Sequence, residues 1–594
     1  MLPYVAEHSL LMTVTSPGSG PKRRPARLTR NLSVPKLVIA VLALLTVAAG
    51  LVVLLADDPD IAQERAERFV TAWERGDFAT MHAELSKDGQ RATPLAKFRA
   101  AYGRAAATAT ATAFRAGRVD RSRDRVVAVP MTVRTRVWGP VRTTLRLPFD
   151  SSGDDPHVDW SRHLTFPGVQ RGSRLERRTE LPPRGDILAR DGRALAKGSE
   201  RTSSLGSAAS SIVGRIEDRP SERAARLRAL GLPAEVKVGV SGLERVFDER
   251  LAGKPGGVLR AGGTLFASSR PQRAAAIRTT IDPQIQRVAV AKLGERLGGI
   301  AVVRPRSGEI LALAGVAFSG LSAPGSTFKI VTLAGVLQAG VAAPRSSFPV
   351  ETKTEIEGVE IENANGESCG GTLRASFAHS CNSVFAPLGA KLGAQRLVHT
   401  AEAFGFNEDL GIPGAATSTI PSADEIGDDL AVGSSAIGQG RVQSTALQMA
   451  LVVSTIADRG QRPKLTLEFD RPAVRKQVIP VRTARLVGRY MEAVVDEGTG
   501  TTAAIRGVRV AGKTGTAELR TTATPTCTPT PEAPDCPPAL PDDPTDTNAW
   551  FAAYAPASSP RVAVGVLLVA SGVGGETAAP LAKQVMVSAL RATR

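Results

Sequence analysis

The apolar segment Leu37–Ala56 is the feature that most constrains how this chain can fold. It has twenty residues, no charged side chain and only Thr46 as a polar one. At about 1.5 Å per residue, a helix of this length crosses a hydrocarbon core of roughly 30 Å. Basic residues precede the segment and Asp57 follows it, so residues 1–36 are predicted to be a cytoplasmic tail. We expect a single-pass protein of the cytoplasmic membrane, with residues 37–56 as its helix and the rest of the chain outside.

A cleaved signal peptide is the alternative interpretation of this segment. The apolar region of a signal peptide is shorter, about 7–15 residues, and we find no convincing A-x-A cleavage site here. No Cys directly follows the apolar run, which argues against a lipidated N-terminus. The sequence favours an uncleaved anchor and leaves open whether the chain starts at Met1 or Met12.

Composition narrows the classes of partner. Hydrophobic residues make up 42% of the 594 and charged residues 22%, which excludes wholesale disorder and allows several domains. The formal net charge is +18, but aromatic residues are only 4% and no basic block is interleaved with them. We therefore expect no nucleic-acid partner. A basic ectodomain suits an anionic surface, such as an acidic cell-wall polymer or lipid headgroups.

All four cysteines follow the predicted anchor, where an oxidising exterior favours disulfides. Cys369 and Cys381 are twelve residues apart, and Cys527 and Cys536 share one Thr/Pro-rich stretch, so these two pairings are the expected ones. Metal binding is the rival interpretation. It is weak, because the chain has no C-x-x-C pair and its six histidines are scattered. The sequence predicts neither a metal nor a cofactor.

Three regions follow the anchor. Residues 57–170 combine predicted helices with later alternating strands, which indicates a small α+β module. Residues 171–278 are polar and rich in Arg, Gly and Ser, which is typical of an extended pedestal. Residues 279–594 have the composition of a well-packed domain. Four local features are also predicted: a helix over Leu95–Phe114, a loop over 197–211, a hairpin of Ile300–Val303 with Glu309–Ala314, and an exposed excursion over 519–547.

The first chemical motif is Ser326-Thr327-Phe328-Lys329, followed by an apolar run. If Ser326 opens a helix, Lys329 lies at i+3 on the same face, within reach of the hydroxyl. A Ser is a weak nucleophile until a base removes its proton, and a Lys whose pKa falls on burial can be that base. The motif alone is weak, because S-x-x-K should occur by chance about once or twice in such a length.

The second motif, Ser380-Cys381-Asn382, is weaker still by itself. A second hydroxyl can relay a proton to a leaving group, and the Asn amide can orient an amide substrate. His379 beside it is another candidate acid or base, but a surface or packed histidine is the more common situation.

The third motif consists of Lys513, Thr514, Gly515 and Thr516, after a predicted short strand over Val508–Ala511. Gly515 permits close approach of a ligand to the backbone. The Lys513 amine and the two Thr hydroxyls can bind a carboxylate, and the Thr516 amide can complete an oxyanion hole with that of Ser326. The alternative is an ordinary strand end.

Together the three motifs are far more specific, because S-x-x-K, S-D-N and K-T-G form the joint signature of class A β-lactamases and penicillin-binding proteins. The middle motif here keeps the Ser and the Asn. Longer matches to the transpeptidases occur at Pro324–Lys329, Gly438–Gly440, Gly498–Gly500, Gly512–Glu518 and Ala549–Phe551. On these residues the chain resembles the class B penicillin-binding proteins, which are monofunctional D,D-transpeptidases.

The resemblance extends toward the N-terminus and covers about residues 58–594. Arg184–Ala196 and Gly242–Glu244 resemble the dimerisation or pedestal region of that family. The first module, with Ala72-Trp73 and Trp160, resembles the nuclear-transport-factor-2-like domain of the methicillin-resistance type. The implied architecture is multidomain α+β. It has one transmembrane helix, a small cone-shaped α+β domain, an extended pedestal, and a C-terminal serine transpeptidase/β-lactamase-like domain with an antiparallel sheet flanked by helices.

That family implies transpeptidation of peptidoglycan stem peptides ending in D-Ala-D-Ala, with a possible D,D-carboxypeptidase side activity. Ser326 would be acylated, and β-lactams would acylate it by mimicking the substrate. Lys329 would be the base, Ser380 the proton relay and Asn382 a substrate amide contact. The residues implied to hold the terminal carboxylate are Lys513, Thr514, Gly515 and Thr516. No E-D-x-x-F glycosyltransferase motif occurs, so a membrane glycan polymerase is the implied partner.

Several departures and alternatives accompany this resemblance. The segment from Gly315 to Ala323, which leads to the first motif, is short for the family, and Asn548 stands where the family often has His.

A class D β-lactamase would not need an anchor and two further domains. A β-lactam sensor should carry several membrane spans, and a catalytically silent scaffold usually loses a nucleophile or base first. The sequence does not indicate whether the protein serves cell division or cell elongation. It also leaves open the acceptor amine, the β-lactam sensitivity and the oligomeric state.

Overall fold

The computed structural model describes residues 60–121, 123–150, 155–218, 223–233, 236–518 and 547–593. The predicted anchor Leu37–Ala56 and the predicted pair Cys527–Cys536 lie outside these residues. Within the described ranges, no helix is both long and apolar enough to cross a bilayer.

Helices packed on a three-stranded antiparallel sheet form the N-terminal module. The helices are α1 (Ile61–Arg75), α2 (Phe78–Ala83), α3 (Lys87–Ala92) and α4 (Leu95–Ala109). The strands pair in the order β1 (Ala111–Ala116), β2 (Val126–Thr135) and β3 (Gly139–Pro148). Phe69 and Trp73 of α1 share one buried core with Phe98 and Tyr102 of α4. The predicted combination of helices and later strands is confirmed.

The helix predicted over Leu95–Phe114 is too long. Helix α4 ends at Ala109, Thr110 takes a left-handed φ of 51°, and Phe114 lies in β1 opposite Val133. The Thr and Phe residues after Ala109 fit a half-buried strand, and pairing with β2 outweighs the helix propensity of the surrounding alanines.

Small sheets and short helices form the region predicted to be a pedestal. The strands are β4 (Leu175–Glu180), β5 (Ile187–Leu188), β6 (Ala194–Ala196), β7 (Ile216–Asp218), β8 (Lys237–Gly239), β9 (Gly256–Ala261), β10 (Thr264–Ser269) and β11 (Ile277–Arg278). The helices are α5 (Ser207–Val213), α6 (Ala224–Ala229), α7 (Gly242–Val246) and α8 (Asp248–Leu251). The loop predicted over 197–211 is wrong in its second half, because Ala208 and Ile212 of α5 are buried in the large core of the C-terminal domain.

A buried ion-pair network joins the segments of the pedestal. Glu244 is fully buried and accepts hydrogen bonds from Arg184 Nε and Arg201 Nε, each at 2.7 Å. Arg184 Nη2 also donates to Asp248 at 2.8 Å, and Asp248 accepts from the backbone of Gly239 at 2.8 Å. Charges this deeply buried are tolerated only when they are paired, so the network fixes how these segments pack.

The C-terminal domain is built on a five-stranded antiparallel sheet. Its strands and small hairpins are β12 (Gly298–Val303), β13 (Ile310–Gly315), β14 (Ser347–Glu351), β15 (Lys353–Ile356), β16 (Val359–Glu362), β17 (Cys369–Thr372), β18 (Gln461–Pro463), β19 (Arg475–Gln477), β20 (Ala511–Glu518), β21 (Thr547–Ala555) and β22 (Val562–Leu568). The sheet order is β13-β12-β22-β21-β20. The predicted hairpin is confirmed as β12 and β13.

Helices cover both faces of this sheet. They are α9 (Pro283–Leu293), α10 (Lys329–Gln338), α11 (Leu373–Ala378), α12 (Asn382–Leu392), α13 (Ala394–Ala403), α14 (Ala423–Ile426), α15 (Asp429–Ala436), α16 (Ala446–Ala457), α17 (Val481–Asp496) and α18 (Ala578–Ala592). Ile300 and Val302 of β12 pack into the core under α9 and α18, whereas Ala301 and Val303 face the core that contains α16. A strand buried on both faces explains the uninterrupted apolar runs in the sequence.

The excursion predicted over 519–547 lies mostly outside the described residues. Strands β20 and β21 on its two sides pair as far as Glu518 with Thr547, so the segment connects adjacent antiparallel strands.

Replacement of Glu244 by Ala tests the pedestal network. The variant leaves Arg184 and Arg201 without their carboxylate, and loss of one partner from a buried pair costs about 3–5 kcal/mol of unfolding free energy. We expect a clearly lower urea midpoint by circular dichroism. The control is Glu176→Ala, whose half-exposed carboxylate lies 3.9 Å from Arg260 and should contribute less than about 1 kcal/mol. Equal, small losses in both variants would contradict the role of the network.

Candidate active site

Ser326 lies in a short turn that is pressed against strand β20. The turn Gly325–Phe328 is a 3-10 helix and leads directly into α10. The sequence predicted that Ser326 opens an α-helix. The α-helix instead begins at Lys329, after the 3-10 turn that contains Ser326. Gly325 has a left-handed φ of 51°, and a Cβ on it would lie 2.5 Å from the carbonyl oxygen of Thr516. Glycine is required here because any side chain would push the turn away from β20.

Lys329 is the first residue of α10, and it is fully buried. Its Nζ donates hydrogen bonds to the Ser380 carbonyl oxygen at 2.6 Å and to Asn382 Oδ1 at 2.7 Å. The Ser380 hydroxyl oxygen is 3.4 Å away. Helix α10 therefore places the amine of the first motif against both polar residues of the second.

The second motif occupies the break between α11 and α12. Ser380 has a φ of 64°, a left-handed conformation that is uncommon for a residue with a side chain and costs about 1–2 kcal/mol. Cys381 forms a disulfide with Cys369 of β17, which confirms that expected pairing. Asn382 Nδ2 donates to the carbonyl of Glu362 at the end of β16, at 2.8 Å. The strained serine is thus fixed by covalent and hydrogen-bonded contacts on its C-terminal side.

The third motif lies inside strand β20 and not after a strand. The strand predicted over Val508–Ala511 is corrected to Ala511–Glu518, where Lys513 pairs with Ala552 of β21. Lys513 is fully buried, and its Nζ donates to Ser380 Oγ at 2.8 Å. A Cβ on Gly515 would lie 2.8 Å from the Pro324 carbonyl oxygen, so this part of β20 lies directly beside the turn that carries Ser326.

The two threonines of the motif have different environments. Thr514 is 5% exposed, and its hydroxyl lies 2.5 Å from that of Thr499. Thr516 is half-buried, and its hydroxyl accepts a hydrogen bond from the Gly574 amide at 3.4 Å. Because side chains alternate along a strand, the two threonines share one face of β20.

Burial changes the acid–base chemistry of both lysines. Desolvation, followed by the nearby charge of Lys513, lowers the pKa of Lys329 well below its usual range. Desolvation alone lowers the pKa of Lys513 to about 7. Lys329 Nζ lies 5.7 Å from the centre of the Phe385 ring, and Lys513 Nζ lies 5.6 Å from the centre of the Phe377 ring. Burial therefore favours the neutral form of the Lys329 amine, which can accept a proton.

His379 and Asn548 take part in contacts beside the site. His379 is partly exposed, and its Nδ1 lies 3.3 Å from a carboxylate oxygen of Glu367. Asn548 is buried, and its amide donates to Ser322 Oγ at 2.7 Å, which ties β21 to the segment before Ser326. Asn548 therefore has a packing role at the position where the sequence departs from the family.

Thr499 and the β15–β16 hairpin are the site elements that reasoning from the residue chemistry missed. The sequence offered only one indication of Thr499, the similarity of Gly498–Gly500 to a transpeptidase motif. No sequence pattern indicated that the Glu362 carbonyl would hold Asn382. Among the described residues, no group of three or more His, Cys, Asp or Glu side chains could bind a metal.

Comparison with known proteins agrees with this geometry. Family models match three parts of the chain: the penicillin-binding protein transpeptidase domain at 298–587, the penicillin-binding protein dimerisation domain at 197–261, and the NTF2-like N-terminal transpeptidase domain at 61–173.

Two curated relatives are similar over most of their own length. Peptidoglycan D,D-transpeptidase PbpA of Mycolicibacterium smegmatis is 32% identical over 422 residues, which are 59% of this chain and 80% of the relative. The protein of the same name from Mycobacterium tuberculosis is 30% identical over 398 residues, with 55% and 74% covered.

Solved structures that resemble this chain are also penicillin-binding proteins or D,D-transpeptidase domains. Penicillin-binding protein A from M. tuberculosis, as a ceftriaxone acyl-enzyme complex, has a TM-score of 0.54 and 25% identity, over 69% of this chain and 98% of that one. The D,D-transpeptidase domain of a peptidoglycan glycosyltransferase from Eggerthella lenta has a TM-score of 0.54 and 27% identity over the same shares. This chain therefore belongs to the class B penicillin-binding proteins, the monofunctional D,D-transpeptidases, and carries the NTF2-like N-terminal domain of the methicillin-resistance type.

Proposed function

We propose that the chain cross-links peptidoglycan stem peptides through an acyl-enzyme on Ser326. The observation that carries this proposal is the meeting of the three motifs at one hydroxyl. Ser380 Oγ lies 3.4 Å from Lys329 Nζ and 2.8 Å from Lys513 Nζ, and both amines are fully buried. This arrangement provides an amine whose neutral form is favoured by burial, a relay hydroxyl and a second amine that can carry a positive charge, all within one small volume.

In the first half-reaction, Ser326 Oγ attacks the carbonyl carbon of the penultimate D-Ala, and the neutral amine of Lys329 takes the hydroxyl proton. Backbone amides of Ser326 and Thr516 stabilise the oxyanion. The carbon–nitrogen bond breaks, and the proton passes through Ser380 to the departing D-Ala amine. Asn382 orients the substrate amide, while Lys513, Thr514 and Thr516 hold the terminal carboxylate beside Gly515.

In the second half-reaction, an amine of a neighbouring stem attacks the acyl carbon. Its proton returns through Lys329 to Ser326 Oγ, which leaves as the free hydroxyl. Water in place of the amine gives the D,D-carboxypeptidase side reaction. A β-lactam acylates Ser326 by the same first step, because its carbonyl and carboxylate match those of D-Ala-D-Ala.

The rest of the chain supports this chemistry at a membrane. We infer that residues 1–36 are a cytoplasmic tail and that Leu37–Ala56 is a single transmembrane helix. Residues 57–170, 171–278 and 279–594 then form the NTF2-like, pedestal and transpeptidase domains on the outer side. Since one active site of this kind makes cross-links only, a membrane glycan polymerase is the partner that supplies the glycan strands.

Labelling with a fluorescent penicillin tests the acyl-enzyme. We expect the full-length chain in detergent to form a stable covalent adduct and Ser326→Ala to form none. Ser319→Ala, a change at an exposed serine before the motif, is the matched control and should label like the original chain. Label that decays within seconds would indicate a β-lactamase, and no label in a folded chain would favour a scaffold.

The pH dependence of acylation tests the roles of the two lysines. Lys329 gains a proton as the pH falls through its lowered pKa, so the acylation rate is lost on the acidic side. Lys513 loses its charge above about 7, so attraction of the carboxylate weakens on the alkaline side. We expect a bell-shaped profile whose two limbs belong to the coupled pair.

The control for this profile is Lys513→Arg, whose guanidinium stays charged and should remove the alkaline limb. A rate that rises steadily to pH 10 would show an ordinary lysine as the base.

The double variant Cys369→Ser, Cys381→Ser tests whether the disulfide holds the second motif. A bridge over a loop of this size contributes about 3 kcal/mol, and without it Ser380 can leave its strained conformation. We expect a lower melting midpoint and an acylation rate reduced about tenfold or more. The control, Cys527→Ser with Cys536→Ser, makes the same chemical change elsewhere. An unaffected rate in the first variant would separate the disulfide from the site.

A further inference from the structure

The loop Gly498–Gly500 lies between the second and third motifs and touches both. The Thr499 backbone amide donates to the Ala378 carbonyl oxygen at 3.1 Å, two residues before Ser380. The Thr499 hydroxyl lies 2.5 Å from that of Thr514. A Cβ on Gly498 would collide with the same Ala378 carbonyl, so only glycine allows the loop to come this close.

Either of the two hydroxyls can donate to the other, and the neighbouring Ala378 carbonyl oxygen favours one direction. Thr499 Oγ1 also lies 3.5 Å from the Ala378 carbonyl oxygen, which can only accept. A threonine hydroxyl has one proton. When Thr499 donates to Ala378, it must therefore receive its hydrogen bond from Thr514, and the Thr514 proton then points toward Thr499.

A bound carboxylate needs the opposite direction. It has no proton to give, so Thr514 must turn its own proton toward the carboxylate. The Thr514 oxygen then accepts, and the donor beside it at 2.5 Å is Thr499. The Ala378 carbonyl keeps a partner during this change, because the Thr499 backbone amide still donates to it at 3.1 Å. When the hydrogen bond between the two threonines reverses its direction, the Ala378 carbonyl and both hydroxyls therefore keep a partner.

We propose that Thr499 is a positioning residue for substrate recognition, whose hydroxyl donates to Thr514 and so lets Thr514 donate to the carboxylate of the substrate or of a β-lactam. The inference rests on the proposed function of Thr514 as a carboxylate contact. Thr499 itself does not touch the substrate. Its effect is limited to ligands that carry a carboxylate, which a purely structural role of the loop would not produce.

The experiment compares acylation of the full-length chain by a β-lactam acid and by its methyl ester, which lacks the anionic carboxylate. The variant is Thr499→Val, which keeps the shape and removes the hydroxyl. We expect the rate constant for the acid to fall about fivefold, since the lost hydrogen bond joins two neutral hydroxyls and is worth less than a bond to a charged group. The ester should react at nearly the rate found for the original chain, which also shows that the variant is folded.

Two further variants complete the design. Thr499→Ser restores the hydroxyl and should recover the ratio of acid to ester rates to within about twofold of the original chain. Thr502→Val removes a nearby hydroxyl that donates to the Gly575 carbonyl at 2.5 Å, and it should leave this ratio unchanged. An unchanged ratio in Thr499→Val, a failure of Thr499→Ser to recover it, or an equal fall in Thr502→Val overturns the inference. An original chain that neither compound acylates overturns the proposed function and the inference with it.

Discussion

Two buried amines around one hydroxyl are the constraint on which this catalytic domain depends. Lys329 and Lys513 are fully buried, and both hydrogen-bond to residues of the Ser380 segment. Water cannot solvate either charge, so the surroundings favour the neutral form of Lys329. Packing therefore keeps the Lys329 amine unprotonated and available to accept a proton. The two-sided sheet, the helices on its faces and the aromatic rings near the amines all contribute to a dry interior.

The contacts of both amines with Ser380 require this serine to keep an unusual backbone conformation. The serine is held at a φ of 64°, which an isolated chain would rarely adopt. The disulfide at Cys381, the Asn382 contact with Glu362 and the Ala378 contact with Thr499 flank it on both sides. Strain of this kind persists only when several contacts define the same position. The pedestal uses the same principle, since Glu244 and Asp248 draw Arg184 and Arg201 into one arrangement.

The three chemical motifs could be predicted from the sequence because each is defined by residue types at a short, fixed spacing along the chain. The β12–β13 hairpin and the Cys369–Cys381 pairing were predictable for the same reason. Errors arose where distant contacts decided the outcome. Pairing of β20 with β21 extends the strand through Lys513. Pairing of β1 with β2 ends α4 at Ala109. The link between Thr499 and Thr514 joins residues whose proximity only the folded sheet creates.

The bridge between Cys369 and Cys381 has a consequence for when the protein can work. Thiols are kept reduced in the cytosol and become oxidised outside it. With the orientation proposed above, the newly made chain would reach the exterior before its second motif is locked. The centre would then mature only in the compartment that holds its polymer substrate, which separates synthesis of the protein from the start of its activity.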